Sequence, residues 1–477
     1  HLGSNGVSTR GPTDGATKAW FLPSKFSFCV SCKVAHDLKG RDFNRLAGLS
    51  GEGRSSATTA IVYSSLRRLF EGEAPKKGEA DFRKLLAFSD NRQDAALQAG
   101  HFNDFIFLLT LRGALMSALK AFPAGATIAE LADHVVKALG FGPGNEAALN
   151  EFLLNPNLKG GALNEASATL QFVVGYRLLF DLRKGWRFNH PNLEQLELLD
   201  VRLKQLEPFA ADIESKKDAP ELFANLKPIG RRALIQEIVI QMRRQLCIAA
   251  DQLASNRQET VKGAARRVLR APWCFNDDER LSNGSYLVMN AVKNRKVSLV
   301  SAGPKSGIIR SLSRLPIWDD EQAAFVKKTD GKQALTKLVE WVLQQGVDWG
   351  ITAADDLDNG KKGWKLMSQE LLWIPSEPAE KTRANPYFLE LYRSVGELFA
   401  NKSSLLFDFE AQEHTAQVEH GRRELLEHRF RFGESDIKRW KEVHNEDIQR
   451  LPVMVCSPTM ELGVDISALN FVLLRNV

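Results

Sequence analysis

The run Cys456-Ser457-Pro458-Thr459-Met460-Glu461-Leu462-Gly463-Val464-Asp465-Ile466 is the part of this sequence richest in chemistry. An apolar strand, Pro452 to Cys456, ends in small hydroxyl residues. A turn follows, then a glycine, then one acid between apolar neighbours. A loop at the carboxyl end of a parallel strand is where an open α/β sheet places its ligands. In such a loop the Thr459 hydroxyl could donate to a phosphate, and Gly463 would let a backbone come close. Asp465 could hold a ribose hydroxyl or a water. These residue types equally suit a plain strand–turn–strand connection.

A second candidate lies near the start. Cys29 and Cys32 have the Cys-x-x-Cys spacing of half a zinc knuckle, and His36 stands four residues further on. Three Zn2+ ligands would come from this stretch and a fourth from elsewhere. Zinc ligation, unliganded thiols and a redox pair all stay open on that spacing. Cys247 and Cys274 read as small apolar core residues, and Cys456 as part of its strand. The third candidate is a basic stretch, 262–314, in which eleven Lys/Arg face the acids Asp277, Asp278 and Glu279, a local charge of +8. Arg266, Arg267 and Arg270 stand near its head, and Trp273, Phe275 and Tyr286 are interleaved. Basic side chains among aromatic rings suit phosphate contact plus base stacking, and equally a solvated charged face.

Other chemistries have no local support. No Gly-x-x-x-x-Gly-Lys-Ser/Thr run is present, so the sequence contains no phosphate-cradling P-loop. Asp319-Asp320-Glu321-Gln322 mimics a Mg2+-binding acidic motif, but no long apolar strand precedes it, and it reads as a helix start. No Gly-x-Ser-x-Gly elbow exists. His101, His134, His190, His420, His428 and His444 show no metal or triad spacing.

The 477 residues, 44% hydrophobic and 26% charged, have the composition of a folded chain, and the length fits about three domains. No apolar run reaches the ~18–20 residues of a membrane helix, so no membrane partner is expected. The first twenty residues lack a signal-peptide core. Five scattered cysteines argue against a disulfide scaffold and for a reducing, cytoplasmic compartment. The net charge of +6 hints at a nucleic-acid partner.

Elements alternate at both ends of the chain and differ between them. A helix is expected over 54–72, with Ser55, Ser56, Thr58 and Thr59 capping its start. Lys84–Phe88 reads as a buried strand ending in the turn Ser89-Asp90-Asn91, and a helix follows to 121. From about 125 to 400 the pattern is mostly amphipathic helix, at 127–140, 145–154, 162–181, 193–205, 227–257 and 332–346. Residues 333–375 suit helix, turn, helix and a β-wing whose last strand runs Trp364–Ile374, the order of a winged helix. Strands return at Ser404–Phe407, Pro452–Cys456 and Phe471–Leu474, with a helix at 421–431. The fold expected is α/β: a parallel sheet interrupted by a large, mainly helical insertion. Its parts would be an irregular lead-in (1–50), a first α/β part (51–120), the insertion (121–400) and a second α/β part (401–477). The chain opens at His1 and stops at Val477, inside what reads as a buried strand, so a piece of a longer polypeptide is expected.

Cys456–Ile466 closely resembles motif V of the superfamily 2 DEAD/DEAH-box helicases, whose core is matched by Leu462-Gly463-Val464-Asp465. His414-Thr415-Ala416-Gln417-Val418, Arg423 and Phe430-Arg431-Phe432-Gly433-Glu434 resemble the stretch before that motif. Lys84–Ala96, with Phe88-Ser89-Asp90-Asn91-Arg92-Gln93-Asp94, resembles motif IV of large bacterial helicases, and Glu52–Thr59 resembles a block before it. The blocks stand in family order and cover 50–110 and 400–477.

The resemblance implies a second RecA-like domain, split by an insertion, in a large prokaryotic helicase of the DNA-repair or phage-defence kind. It implies that Ser89, Asn91, Arg92, His414, Thr415 and Thr459 lie beside a nucleic-acid backbone. Gly463 and Asp465 would lie nearer a cleft for ATP with Mg2+, shared with a first RecA-like domain. DNA is the implied partner and RNA stays open; a role of the insertion as a surface for protein partners belongs to the alternative reading below. The implied activity of the parent is ATP-dependent DNA translocation and unwinding. The chain alone lacks a P-loop, and the family's arginine-bearing motif VI would fall past Val477, so it is expected not to hydrolyse ATP. The alternative is a non-catalytic scaffold that binds nucleic acid or protein through a degenerate helicase domain.

Overall fold

The structure is a computed structural model that describes residues 52–72, 81–89, 91–183, 190–290, 297–357, 361–380, 382, 384–445, 447–457 and 471–474. Leu85–Phe88 is a short apolar strand, Leu-Leu-Ala-Phe, three of whose residues are buried, as a central parallel strand requires. It pairs in parallel with Val453–Cys456 on one side and Phe471–Leu474 on the other. Ala411–His414 adds beyond Val453–Cys456, completing a four-stranded parallel sheet. The first of these strands in sequence therefore lies inside the sheet, between strands from the opposite end of the chain. The protein is mixed α/β.

The strand expected at Ser404–Phe407 is instead a 3-10 turn, Leu405–Asp408, and the strand is Ala411–His414. Ala-Gln-Glu-His carries no apolar run. It works as a strand because, among the described residues, it pairs on one side only, with its two middle residues half-buried. Thr58 and Thr59 lie inside the helix Glu52–Glu71 rather than capping it, and the buried Thr59 hydroxyl accepts from Gln98 Nε2 at 3.2 Å. At the amino edge of the sheet Asp81 bridges Arg83 and Arg450, and both guanidinium groups lie over the Phe70 ring, at 4.8 and 4.5 Å. On one face Leu86, Met454 and Cys456 pack on Leu426, Phe430 and Leu451, beneath the helix His420–Arg431.

Helix Arg92–Leu119 carries the chain out of the sheet, and helix Pro386–Ala400 brings it back. The two pack together through glycines. A Cβ on Gly113 would collide with Val395, and one on Gly396 would lie 2.9 Å from Met116 Cβ. Next to Gly113 the wholly buried Arg112 ties three segments together. Its Nε and Nη2 donate to Asp181 at 2.9 and 2.5 Å. Its Nη1 donates to the Tyr392 hydroxyl at 2.7 Å and to the Pro191 carbonyl at 3.0 Å. One continuous apolar core runs from Leu85 in the sheet to Leu338 in the insertion.

Arg92–Leu119 is also the one described helix long and apolar enough to cross a membrane, which corrects the expectation that no run reaches that length. Asp104 and Arg112 interrupt its apolar residues without lowering their average enough to exclude it. Of its most apolar stretch, 72% is buried inside the protein.

Three expected elements of the insertion differ. Residues 193–205 form a turn and the strand Leu199–Leu203, antiparallel to Leu371–Pro375. The helix expected over 227–257 ends at Arg244, because Leu246 turns left-handed at φ 55° and a two-residue strand, Ile248–Ala249, follows. Among the described residues of 333–375 there is no helix–turn–helix. Thr329–Asp348 is one helix, broken only at Gly350, whose φ is +66°. Its two glycines, Gly331 and Gly346, cost about 1 kcal/mol each at most, too little to stop it. The hairpin Thr352–Leu357/Lys361–Met367 comes next, and a 3-10 turn at Ser368–Glu370 separates it from Leu371–Pro375, which belongs to another sheet.

Candidate nucleic-acid interface at the carboxyl edge of the sheet

Register sets the geometry of this edge. Phe88, Cys456 and His414 stand opposite one another in three neighbouring strands. The residue after each is polar and buried: Ser89, Ser457 and Thr415 are 2%, 1% and 3% exposed. The Ser89 amide donates to the Cys456 carbonyl at 2.9 Å, carrying the pairing one residue past the strand. The edge therefore brings together three stretches that are far apart in sequence. Asn103 holds the far strand in place: its side chain both donates to and accepts from the Ala411 backbone, each at 2.8 Å, across 308 residues. Sequence reasoning missed Asn103, because a mid-helix asparagine carries no spacing signal.

Ser89 and Asn91 are used locally. Ser89 Oγ donates to the Asn91 carbonyl at 3.3 Å. Asn91 caps the helix Arg92–Leu119, its Oδ1 accepting from the Asp94 amide at 2.8 Å. Arg92, the first helical residue, is exposed. His414 is 6% exposed, with Nε2 3.0 Å from Glu427 Oε1. A carboxylate only accepts, so Nε2 carries the proton and donates, leaving Nδ1 to face any other group. Glu427 also escaped the sequence reading; its only signal is an acid 13 residues after the histidine, on the next helix.

Thr415 Oγ1 has no hydrogen-bond partner among the described residues, and neither has Arg423 Nε. A buried hydroxyl left unpaired costs about 1–3 kcal/mol, so a phosphate oxygen or a water at this position is favoured. Two helices start at the same edge, Arg92–Leu119 and His420–Arg431, and the second has no side-chain cap. Unpaired first-turn N–H groups and the helix dipole favour an anion there.

Phe430–Glu434 lies away from this edge. It ends the helix His420–Arg431, ~18 Å from its start by the 1.5 Å rise per residue. Phe432 takes the left-handed turn at φ 49°, and Phe430 sits in the core. Asp436 accepts from His428 at 2.6 Å and from Arg431 at 3.1 Å. Burial pushes the Asp436 carboxyl up, but these bonds outweigh it and hold the carboxyl below its usual range. The role of this block is to shape the chain.

The basic stretch stands apart, in the insertion. Arg266 Nη1 pairs with Asp277 at 2.7 Å, Arg267 is exposed, and Arg270 is half-buried. The expected stacking rings are occupied. Trp273 and Phe275 are in the core, at 1% and 0% exposure. The Tyr286 hydroxyl donates to Asp355 at 2.8 Å, and Lys365 covers its ring at 3.8 Å. A rim of arginines without free rings corrects the combination of charge and stacking read from the sequence. Thr459, Gly463 and Asp465 lie outside the described residues, as do Cys29, Cys32 and His36. Among the described residues no group of three or more His, Cys, Asp or Glu side chains is placed to hold a metal ion.

The class defined by fold and edge is a mixed α/β protein with a parallel sheet, an anion-favouring carboxyl edge and a helical insertion sharing its core. No family model, no curated protein and no solved structure matches the chain.

Proposed function

We propose that this chain is the second RecA-like part of an ATP-dependent DNA helicase or translocase of the superfamily 2 DEAD/DEAH-box kind. The observation that carries the reading is the in-register row Phe88, Cys456, His414. It sets Ser89-Asn91-Arg92, His414-Thr415 and Ser457 on one edge, and these belong to the three stretches that resemble helicase motifs. Arg92 and the start of its helix meet one phosphate of a single strand, and Thr415 with the start of helix His420–Arg431 meets another. His414, held by Glu427, offers Nδ1 alongside. Such contacts carry no base information, so binding is independent of sequence.

Thr459, two residues past Ser457 in the sequence, is a further phosphate contact in this reading. Gly463 and Asp465 then face a cleft for ATP with Mg2+, whose P-loop comes from a first RecA-like part. ATP hydrolysis in that cleft supplies the free energy for stepping. This chain's residues grip and release the strand. Cys29, Cys32 and His36 are proposed Zn2+ ligands.

Equilibrium binding of labelled single strands of several base compositions tests the reading. Equal affinities that fall steeply with salt are expected. No binding, or strong preference for one sequence, would leave a protein-interaction scaffold as the better account.

A further inference from the structure

The imidazole of the edge row is held from one side only. His414 ends the strand Ala411–His414, opposite Cys456, and its ring is buried. Glu427, from helix His420–Arg431, accepts from its Nε2 at 3.0 Å. A neutral ring then has its one N–H on Nε2 and a bare lone pair on Nδ1. Phosphodiester oxygens also only accept, so a neutral Nδ1 and a phosphate repel each other. The next residue, Thr415, keeps a buried hydroxyl with no partner among the described residues, at the same strand end. A phosphate that reaches this hydroxyl therefore meets a histidine that must gain a proton to bind it.

The groups packed around His414 favour that gain. From the helix come Glu427 and, 3.8 Å from its other oxygen, Arg431. Arg422 donates to Gln412 at 3.4 Å, two residues before His414 and on the same face of the strand, and Glu413 belongs to the opposite face. Cys456, across the sheet, is neutral, its thiol pushed up to about 12 by burial. Helix Arg92–Leu119 reaches this strand through the neutral amide of Asn103, at Ala411. We infer that His414 takes up a proton when the edge grips a strand, and that Glu427 is the positioning residue that leaves Nδ1 as the atom to receive it. The inference rests on the helicase reading of this edge. The proton passes from solvent to the Nδ1 lone pair, and no covalent bond breaks. The imidazolium then donates from Nε2 to Glu427 and from Nδ1 to a phosphate oxygen, with an opposite charge on each side.

The strand-bound protein thus holds this proton to higher pH than the free protein. Affinity is greatest at low pH and falls as pH rises through the histidine range. Calorimetric titration of the whole chain with an oligothymidylate tests this, because neither thymine nor phosphodiester titrates in that range. Binding heats in two buffers of different ionisation enthalpy count the protons taken up, and wild type should show a net uptake of up to about one per bound chain. Affinity should fall roughly tenfold between about pH 5.5 and about pH 8.5. His414→Gln stays neutral, so its uptake should vanish and its profile flatten. Glu427→Gln still accepts from Nε2 through its amide oxygen but has no charge, so the fall in affinity should move to lower pH. No uptake in wild type, or a pH profile that His414→Gln leaves unchanged, would overturn the inference while the binding itself upheld the helicase reading. An unmoved profile in Glu427→Gln would overturn the part assigned to the carboxylate. No strand binding at any pH would overturn both the inference and the reading beneath it.

Discussion

Asp81 and Arg450 form an ion pair across 369 residues of sequence, directly before two strands that lie side by side. Arg83 binds the same carboxylate at 2.9 Å, and Phe70 lies beneath both guanidinium groups. The pair fixes which residue of Val453–Cys456 stands opposite Leu85, and with it the alignment of Ser89, Ser457 and Thr415 at the other end of the strands.

The same pair makes stability depend on acid. Burial raises the Asp81 carboxyl, but the Arg83 bonds and the Arg450 charge outweigh it and hold the group at about 2, below its usual 3.8. Stability from this site is complete above about pH 4 and is lost as pH falls toward about 2. Urea unfolding of wild type and Asp81→Asn should differ by about 1 kcal/mol at pH 6 and by only about a third of that at pH 2.5, after allowance for the partial exposure of the pair. An undiminished difference at the lower pH would refute the assignment.

The two-helix stem predicts a larger effect. Gly113→Ala should cost about 1–3 kcal/mol, because Val395 and Phe399 leave no room for a methyl group. Arg112→Met strands the buried Asp181 carboxylate and should cost about 3–5 kcal/mol. Adding Asp181→Leu to Arg112→Met should recover most of that loss, since the pair is then replaced by apolar groups. Chemical denaturation of the three variants checks this; a double variant no better than the single would contradict it.

Much of the α/β part is legible in the sequence because its elements are strongly periodic. Leu85–Phe88, Val453–Cys456 and Phe471–Leu474 are short apolar runs, and the polar turn Ser89-Asp90-Asn91 marks where the helix Arg92–Leu119 begins. Ala411–His414 is not legible, because a short strand paired on one side needs no apolar pattern. In the insertion, Leu199–Leu203 looks helical until its partner Leu371–Pro375, far along the chain, is known. Trp273 and Phe275 look like stacking rings beside arginines until burial shows them inside. Glu427 and Asn103 act across space, on His414 and Ala411, and a single sequence has no signal for that.

The absence of a P-loop predicts that the purified chain hydrolyses ATP no faster than a protein-free blank, with or without single-stranded DNA. A phosphate-release assay decides it. Sustained, DNA-stimulated turnover would contradict the division of labour between two RecA-like parts.

The central claim is that the carboxyl edge of the sheet grips a phosphate backbone, and Arg92 is its exposed charge. The most direct measurement is fluorescence anisotropy of a short labelled single strand, titrated over a range of salt concentrations with wild type and Arg92→Ala. Substitution at this exposed first helical position leaves the Asn91 cap intact. The account predicts weaker binding and a salt slope lowered by ~0.7, the value for one phosphate contact on a single strand. Identical slopes and affinities in the two proteins would place the nucleic-acid site elsewhere and contradict the account.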